Sequence, residues 1–189
     1  MTAIRICSLL WTILWIVWML AWLRTKRTQE RASFGSRFLY GIPVVLAFFL
    51  LFNDNIRYGW FELRVLPKST ILQATAVALT AAGVAFAIWA RFYIGQNWSS
   101  AVSVKVDHQL IRTGPYAWVR HPIYSGFLLA MVGTAIARRE PRGILAFALL
   151  WFGLWIKSRM EERLMLKTFG AEYEDYSRST GALIPKLRF

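Results

Sequence analysis

The chain is poor in the residues that usually organise a water-soluble fold. Cysteine occurs once, at Cys7, so no intramolecular disulfide can form. Histidine occurs twice, at His108 and His121, and no Cys/His cluster has zinc-ligand spacing, so a protein-held metal is not expected. Acidic residues are scarce, 10 Asp and Glu against 23 Lys and Arg, and charged residues make up only 17% of the 189 residues. A soluble domain of this size carries more charge and fewer long apolar runs. Its place is taken by hydrophobic residues, 57% of the chain, with ten tryptophans. The net charge of +13 would point to nucleic acid in a soluble protein. Here the cations lie between apolar runs, as expected of loops facing anionic lipid, and no nucleic-acid partner is expected.

The apolar runs predict a polytopic, all-α membrane bundle of about five transmembrane helices in one domain, residues 1–189. Cys7–Leu23 ends in a basic stretch without a signal-peptidase pattern and reads as a retained anchor helix. Phe38–Phe52 holds Gly41 and Pro43, which predict a kink accommodated by neighbouring helices. Ile71–Trp89 has the length and composition of a full crossing. Its small residues, Gly83 among them, allow close helix packing or a gap for a lipid. Ile123–Ala137 and Gly143–Ile156, parted by "RREPR", predict a C-terminal helical hairpin. Residues 1–89 would then form three N-terminal spans, and 90–189 a region where the polar chemistry collects. With the N-terminus outside, the segments on the cytoplasmic side hold 16 of the 23 cations, which favours that orientation. The three arginines at 138–142 stand against it.

The polar chemistry centres on "RTGPYAWVRHPIYSG", residues 112–126. Gly114-Pro115 is a turn dipeptide, and Pro122 suits the first position of a helix. The N-terminus of that helix, with Arg120 and His121 beside it, is a place for a carboxylate or phosphate. A belt of aromatic and basic side chains at headgroup level would use the same residue types, and spacing alone leaves both readings open. A second cluster, "IKSRMEERLMLKTFGAEYEDY", holds Glu161 and Glu162, which project about 100° apart on a helix and are not expected to share a target. Lys157 with Glu161, and Arg159 with Glu162, have the spacing of surface ion pairs.

Together, "GPYAWVRHPIYSG" and, after a hydrophobic hairpin, "EERLMLKTFGAEYEDY" resemble the isoprenylcysteine carboxyl methyltransferase family; "GQNWS" and "DHQLIRTGPY" extend the likeness over roughly residues 90–189. The resemblance implies a membrane enzyme with a cytosolic cofactor pocket. It would transfer methyl from S-adenosylmethionine, leaving S-adenosylhomocysteine, to the carboxylate of a prenylated cysteine or similar isoprenoid acid. Cofactor contacts are implied for His108, Gln109, Leu110, Ile111, Tyr116, His121, Pro122, Ile123, Tyr124 and Glu161. Where the family places an arginine for the acceptor carboxylate this sequence has Lys157, with Arg159 two residues on, and lysine lacks the bidentate fork. A carboxylate acceptor is ionised at neutral pH, so no acid/base dyad is required. The alternatives are a phospholipid or small-lipid N-methyltransferase, whose amine acceptor needs a base, and an NADPH-dependent membrane reductase of the sterol reductase type. The acceptor's tail is expected to enter sideways between helices.

Overall fold

The structure is a computed structural model that describes residues 2–22, 28–31, 34–56, 59–98, 103–105 and 109–186. Among the described residues the frame is six α-helices: α1 Ala3–Trp22, α2 Phe34–Phe52, α3 Thr70–Ile94, α4 Pro122–Arg138, α5 Pro141–Phe169 and α6 Ala171–Ser179. Two short antiparallel strands, β1 Thr28–Arg31 and β2 Ser103–Lys105, pair with each other. Helices α1, α3 and α5 are long and apolar enough to cross a membrane, and α2 and α4 are shorter apolar helices. In lipid a backbone must satisfy its own hydrogen bonds, and helices do so within one segment.

The side chains confirm which way each helix faces. On α1, Ala3, Cys7, Trp11, Leu14, Trp18 and Ala21 are buried at three- and four-residue intervals. The opposite face leaves Ile16, Met19 and Leu20 more than half exposed. An apolar face left open on this scale is what a lipid-facing surface requires.

Helix α4 packs chiefly on α3, and α5 on α2, so the predicted hairpin forms but each arm finds its main partner elsewhere. Glycines set the α3–α4 spacing. A Cβ on Gly126 would lie 2.6 Å from the Gly83 carbonyl oxygen, and one on Gly133 2.5 Å from that of Ala76. The small residues of α3 are therefore filled by the α4 backbone, so of the two readings of this stretch close helix packing holds and a lipid gap beside Gly83 does not. Polar atoms in this seam satisfy one another: Trp11 Nε1 donates to Thr134 Oγ1 at 2.9 Å, and the Thr80 and Thr134 hydroxyls donate to the carbonyls of Ala76 and Ala130. Pro43 lies inside α2, against Gly153 of α5.

Helix α5 continues past the apolar run that ends at Ile156, as expected of the mixed-charge stretch after Lys157, which reads as a helix leaving the membrane. It carries Lys157, Glu161 and Glu162 on one continuous helix to Phe169, where Gly170, at φ +54°, turns the chain into α6. The chain then returns to α4: the amides of Arg120 and His121 donate to the carbonyls of Gly181 and Ala182, and Ser125 Oγ donates to that of Leu183 at 2.6 Å. The start of α4 and the polar end of α5 are thereby held together.

Candidate functional site: a carboxylate cluster at the start of α4

Gly114, at φ +59°, opens a single 3₁₀ turn, Gly114–Ala117, where the Tyr93 ring leaves no room for a Cβ. The turn delivers the chain to His121, which caps α4, with Pro122 at the first helical position as expected. Tyr124 follows one turn on. From α5, Glu161 reaches between them. Tyr124 Oη donates to both Glu161 oxygens, at 2.7 and 2.8 Å, and His121 Nδ1 lies 3.5 Å from Glu161 Oε2. The His121 and Tyr124 rings stack at 5.3 Å with 5° between their planes.

Glu162 meets the same imidazole. His121 Nε2 is 3.4 Å from Glu162 Oε1, so the two carboxylates flank opposite nitrogens of one ring. This corrects the expectation that the glutamates face different targets. Their 100° divergence is spanned by a ring whose two nitrogens point apart. It also corrects the pairing expected for Glu162: its main partner is Arg120, whose Nε donates to Glu162 Oε1 at 2.8 Å, while Arg159 Nη1 stays 3.8 Å away on a largely exposed side chain. Arg120 donates in addition to the carbonyls of Ser177 and Thr180, which fixes the returning tail.

His121 lies outside the helical spans and its side chain is 91% buried. Burial pulls its pKa down, but the Glu161 and Glu162 carboxylates flanking the ring outweigh burial and leave it above the ordinary histidine value. Its Nε2 is buried without a hydrogen bond, despite the nearby carboxylate. Lys157 is also largely buried, 13% exposed, rather than on the surface. Its Nζ is 3.9 Å from Glu161 Oε1, 5.2 Å from the Tyr124 ring centre and 5.6 Å from that of Tyr40 on α2.

The other predicted positions divide. Pro122 and Ile123 are buried in the first turn of α4. Tyr116 is 7% exposed and its ring joins the hydrophobic core, with its hydroxyl directed to the Ala90 carbonyl at 3.4 Å. Burial pushes the Tyr116 phenol far above its usual range. Tyr176, pushed up to about 12 by burial, donates to the Tyr116 carbonyl at 2.6 Å and anchors the turn to α6. Gln109 is exposed, Leu110 is half-buried and Ile111 packs at the core's edge. Arg112 ties this stretch to Glu172 of α6 at 2.6 Å. His108 lies outside the described residues. Arg120 was read only as a donor beside the helix start, and nothing in its local sequence signals that it pairs with a residue 42 positions on.

A helical bundle with three membrane-length apolar helices, and an ion-paired cluster of two carboxylates, an imidazole, a guanidinium and a largely buried ammonium where two of its helices meet, defines a membrane protein with a polar site at the end of its bundle. Comparison with known proteins is specific about which kind. Residues 71–172 match the phospholipid methyltransferase family, and the chain belongs to it. It is similar to a protein-S-isoprenylcysteine O-methyltransferase of Saccharomyces cerevisiae, 36% identical over 94 residues that make up 48% of this chain and 39% of the yeast protein. A protein of the same name from Mus musculus is 32% identical over 154 residues, 73% of this chain and 54% of the mouse protein. One from Schizosaccharomyces pombe is 32% identical over 121 residues, 62% of this chain and 51% of that protein. The chain thus spans about half or less of the length of these relatives.

Proposed function

We propose that the chain is an S-adenosylmethionine-dependent carboxyl methyltransferase acting on a prenylated cysteine or similar isoprenoid acid at the cytoplasmic membrane face. The observation that carries the reading is the convergence of His121, Tyr124 and Lys157 on Glu161: residues to which the sequence resemblance assigns cofactor and acceptor meet within one small volume. The names of the relatives support the same acceptor class.

The residues fit such a cofactor. Glu161 offers a carboxylate to an ammonium, and the unsatisfied Nε2 of His121 offers a buried donor to a carboxylate. The Tyr124 ring gives a π-face to a cation. When bound, the cofactor supplies an electrophilic methyl group on sulfur. The protein's own residues hold and orient. Lys157, whose Nζ sits between the Tyr40 and Tyr124 rings, directs the acceptor carboxylate; Arg159 points into solvent and is not assigned that task. The aromatic walls around Lys157 exclude water, and catalysis comes mainly from alignment of nucleophile and methyl carbon. The acceptor's tail reaches Lys157 from the bilayer side of α2 and α4 rather than past Gly83.

An amine acceptor is the second reading, favoured by the family's description. It needs a base, and His121 is flanked by two carboxylates that raise its pKa and favour its protonated form over the free base. Transfer of radiolabelled methyl in membrane extracts decides: a base-labile product that releases methanol is the expected ester, and a base-stable one establishes methylation of an amine. Lys157→Met is expected to lower kcat/KM about a hundredfold by loss of acceptor orientation. Undiminished esterification in that variant removes Lys157 from the proposed role.

A further inference from the structure

At the far end of α4, one helix length or roughly 25 Å from His121, lies a cleft of about 730 Å³ that the methyl-transfer reading leaves unused. We propose that it binds a phosphate anion, supplied by the headgroup of an anionic phospholipid.

The argument begins with charge. Arg64, Arg138, Arg139, Arg142 and Lys68 line the cleft, against Asp54 and Glu140. Five cations and two carboxylates leave three positive charges in excess. Glu140, 7% exposed, is shared by three of the guanidiniums: Arg64 Nη1 on one oxygen, and Arg142 Nε on the other, which also lies 3.3 Å from Arg138 Nε. Asp54 takes Arg138 Nη2, but its own side chain is 82% exposed and therefore screened. Among the described residues, Arg139 and Lys68 have no carboxylate partner.

Two further observations point to a ligand. The Arg138 side chain is 94% buried and lines the cleft, yet its Nε has no hydrogen bond. Arg139 is the only non-glycine residue of the described chain with positive φ, at +59°. A left-handed helix end favours glycine, yet here it holds an arginine over the cleft, with its carbonyl accepting from the Val65 amide at 3.0 Å. An anion with several acceptor oxygens, which guanidinium forks grip in pairs, supplies Arg139 with a partner and Arg138, already ion-paired to Asp54 and Glu140, with the hydrogen bond its Nε lacks.

The same cleft argues for a lipid as the source. Phe61 lines it and stacks on Trp60 at 4.3 Å, and Trp60, Leu63 and Val65 are more than half exposed beside it. Aromatic residues next to cations at the ends of membrane helices sit at headgroup level. Such a site also accounts for the three arginines that stand against the charge-based orientation.

The test is thermal unfolding of the purified full chain in non-ionic detergent with dihexanoylphosphatidylglycerol, dihexanoylphosphatidylcholine or inorganic phosphate. The phosphatidylglycerol is expected to raise Tm, and Arg139→Gly to weaken its apparent Kd about tenfold, although glycine suits the left-handed position and leaves the unliganded variant no less stable. Lys68→Gln is expected to weaken it as well. An equal rise with inorganic phosphate supports the anion site and assigns it to the free ion. No shift with either anion, an equal shift with phosphatidylcholine, or a shift that both variants retain overturns the proposal.

Discussion

The site turns on a single imidazole. His121 is faced by Glu161 and Glu162 from α5, by Tyr124 on its own helix and by the Arg120 guanidinium paired to Glu162; Lys157 acts on it only through Glu161. Its folded pKa is raised above the unfolded value of about 6.5. The folded state therefore binds the proton more tightly. The stability this contributes is fully present below about pH 6.5 and is lost as pH rises through the folded value, with a slope bounded near 1.4 kcal/mol per pH unit for one proton. Thermal unfolding in detergent across the neutral and mildly alkaline range is expected to show Tm falling with pH, and His121→Gln to flatten that fall. A Tm that climbs with pH, or an unaltered slope in the variant, contradicts the pairing. Arg120 makes a separate prediction. Its loss in Arg120→Leu strands a largely buried carboxylate and frees two tail carbonyls, at an expected cost of about 3 kcal/mol. Denaturant or thermal unfolding checks the figure.

At the scale of elements, the closest contact is the glycine seam between α3 and α4. Gly126→Ala places a methyl group 2.6 Å from the Gly83 oxygen and 2.8 Å from the Ala87 amide nitrogen, both backbone atoms that cannot move aside. An overpacked seam is expected to cost about 1–3 kcal/mol. Gly41 in α2 has nothing within 4 Å of the same construction, so Gly41→Ala is expected to be neutral or to gain up to about 1 kcal/mol from helix propensity. Unfolding of the pair side by side tests the seam against a general sensitivity of helical glycines. The spans themselves were legible in the sequence because hydrophobicity over about 20 residues reports directly on helix length, and α4 begins at Pro122 because proline signals its position locally. The meeting of α4 with α5 at Glu161 was legible through a two-part motif. What the sequence hid is what depends on contacts far apart along the chain. The return of Gly181–Leu183 to α4, the Arg120–Glu162 pair and the filling of the Gly83 groove are fixed by tertiary packing, which leaves no periodic trace.

At the scale of the whole molecule, the two polar clusters occupy opposite ends of α4, and each end carries its own loops. The His121 cluster shares its end with the α5–α6 corner and the returning tail; the Arg138 cluster shares its end with Asp54 and the α2–α3 connection. If α4 and its neighbours lie across the bilayer, the two clusters face different compartments, and the proposed function requires the His121 cluster on the cytoplasmic side. Cysteine chemistry can read this cleanly, because the chain's only cysteine, Cys7, is fully buried. In intact cells a membrane-impermeant maleimide is expected to label Asn55→Cys, an exposed turn position at the Arg138 end, and to spare Arg178→Cys on α6, whose side chain is 69% exposed. In inside-out vesicles the pattern is expected to invert. Labelling of both positions from one side contradicts a bundle that spans the membrane along α4. The inverted pattern in cells instead keeps the bundle and turns the carboxylate cluster outward, away from a cytosolic cofactor, and so counts against the methyl-transfer reading itself. The wild-type chain is expected to stay unlabelled in both preparations, since Cys7 packs against Thr80 inside the α1–α3 contact, its Sγ 3.3 Å from the threonine hydroxyl.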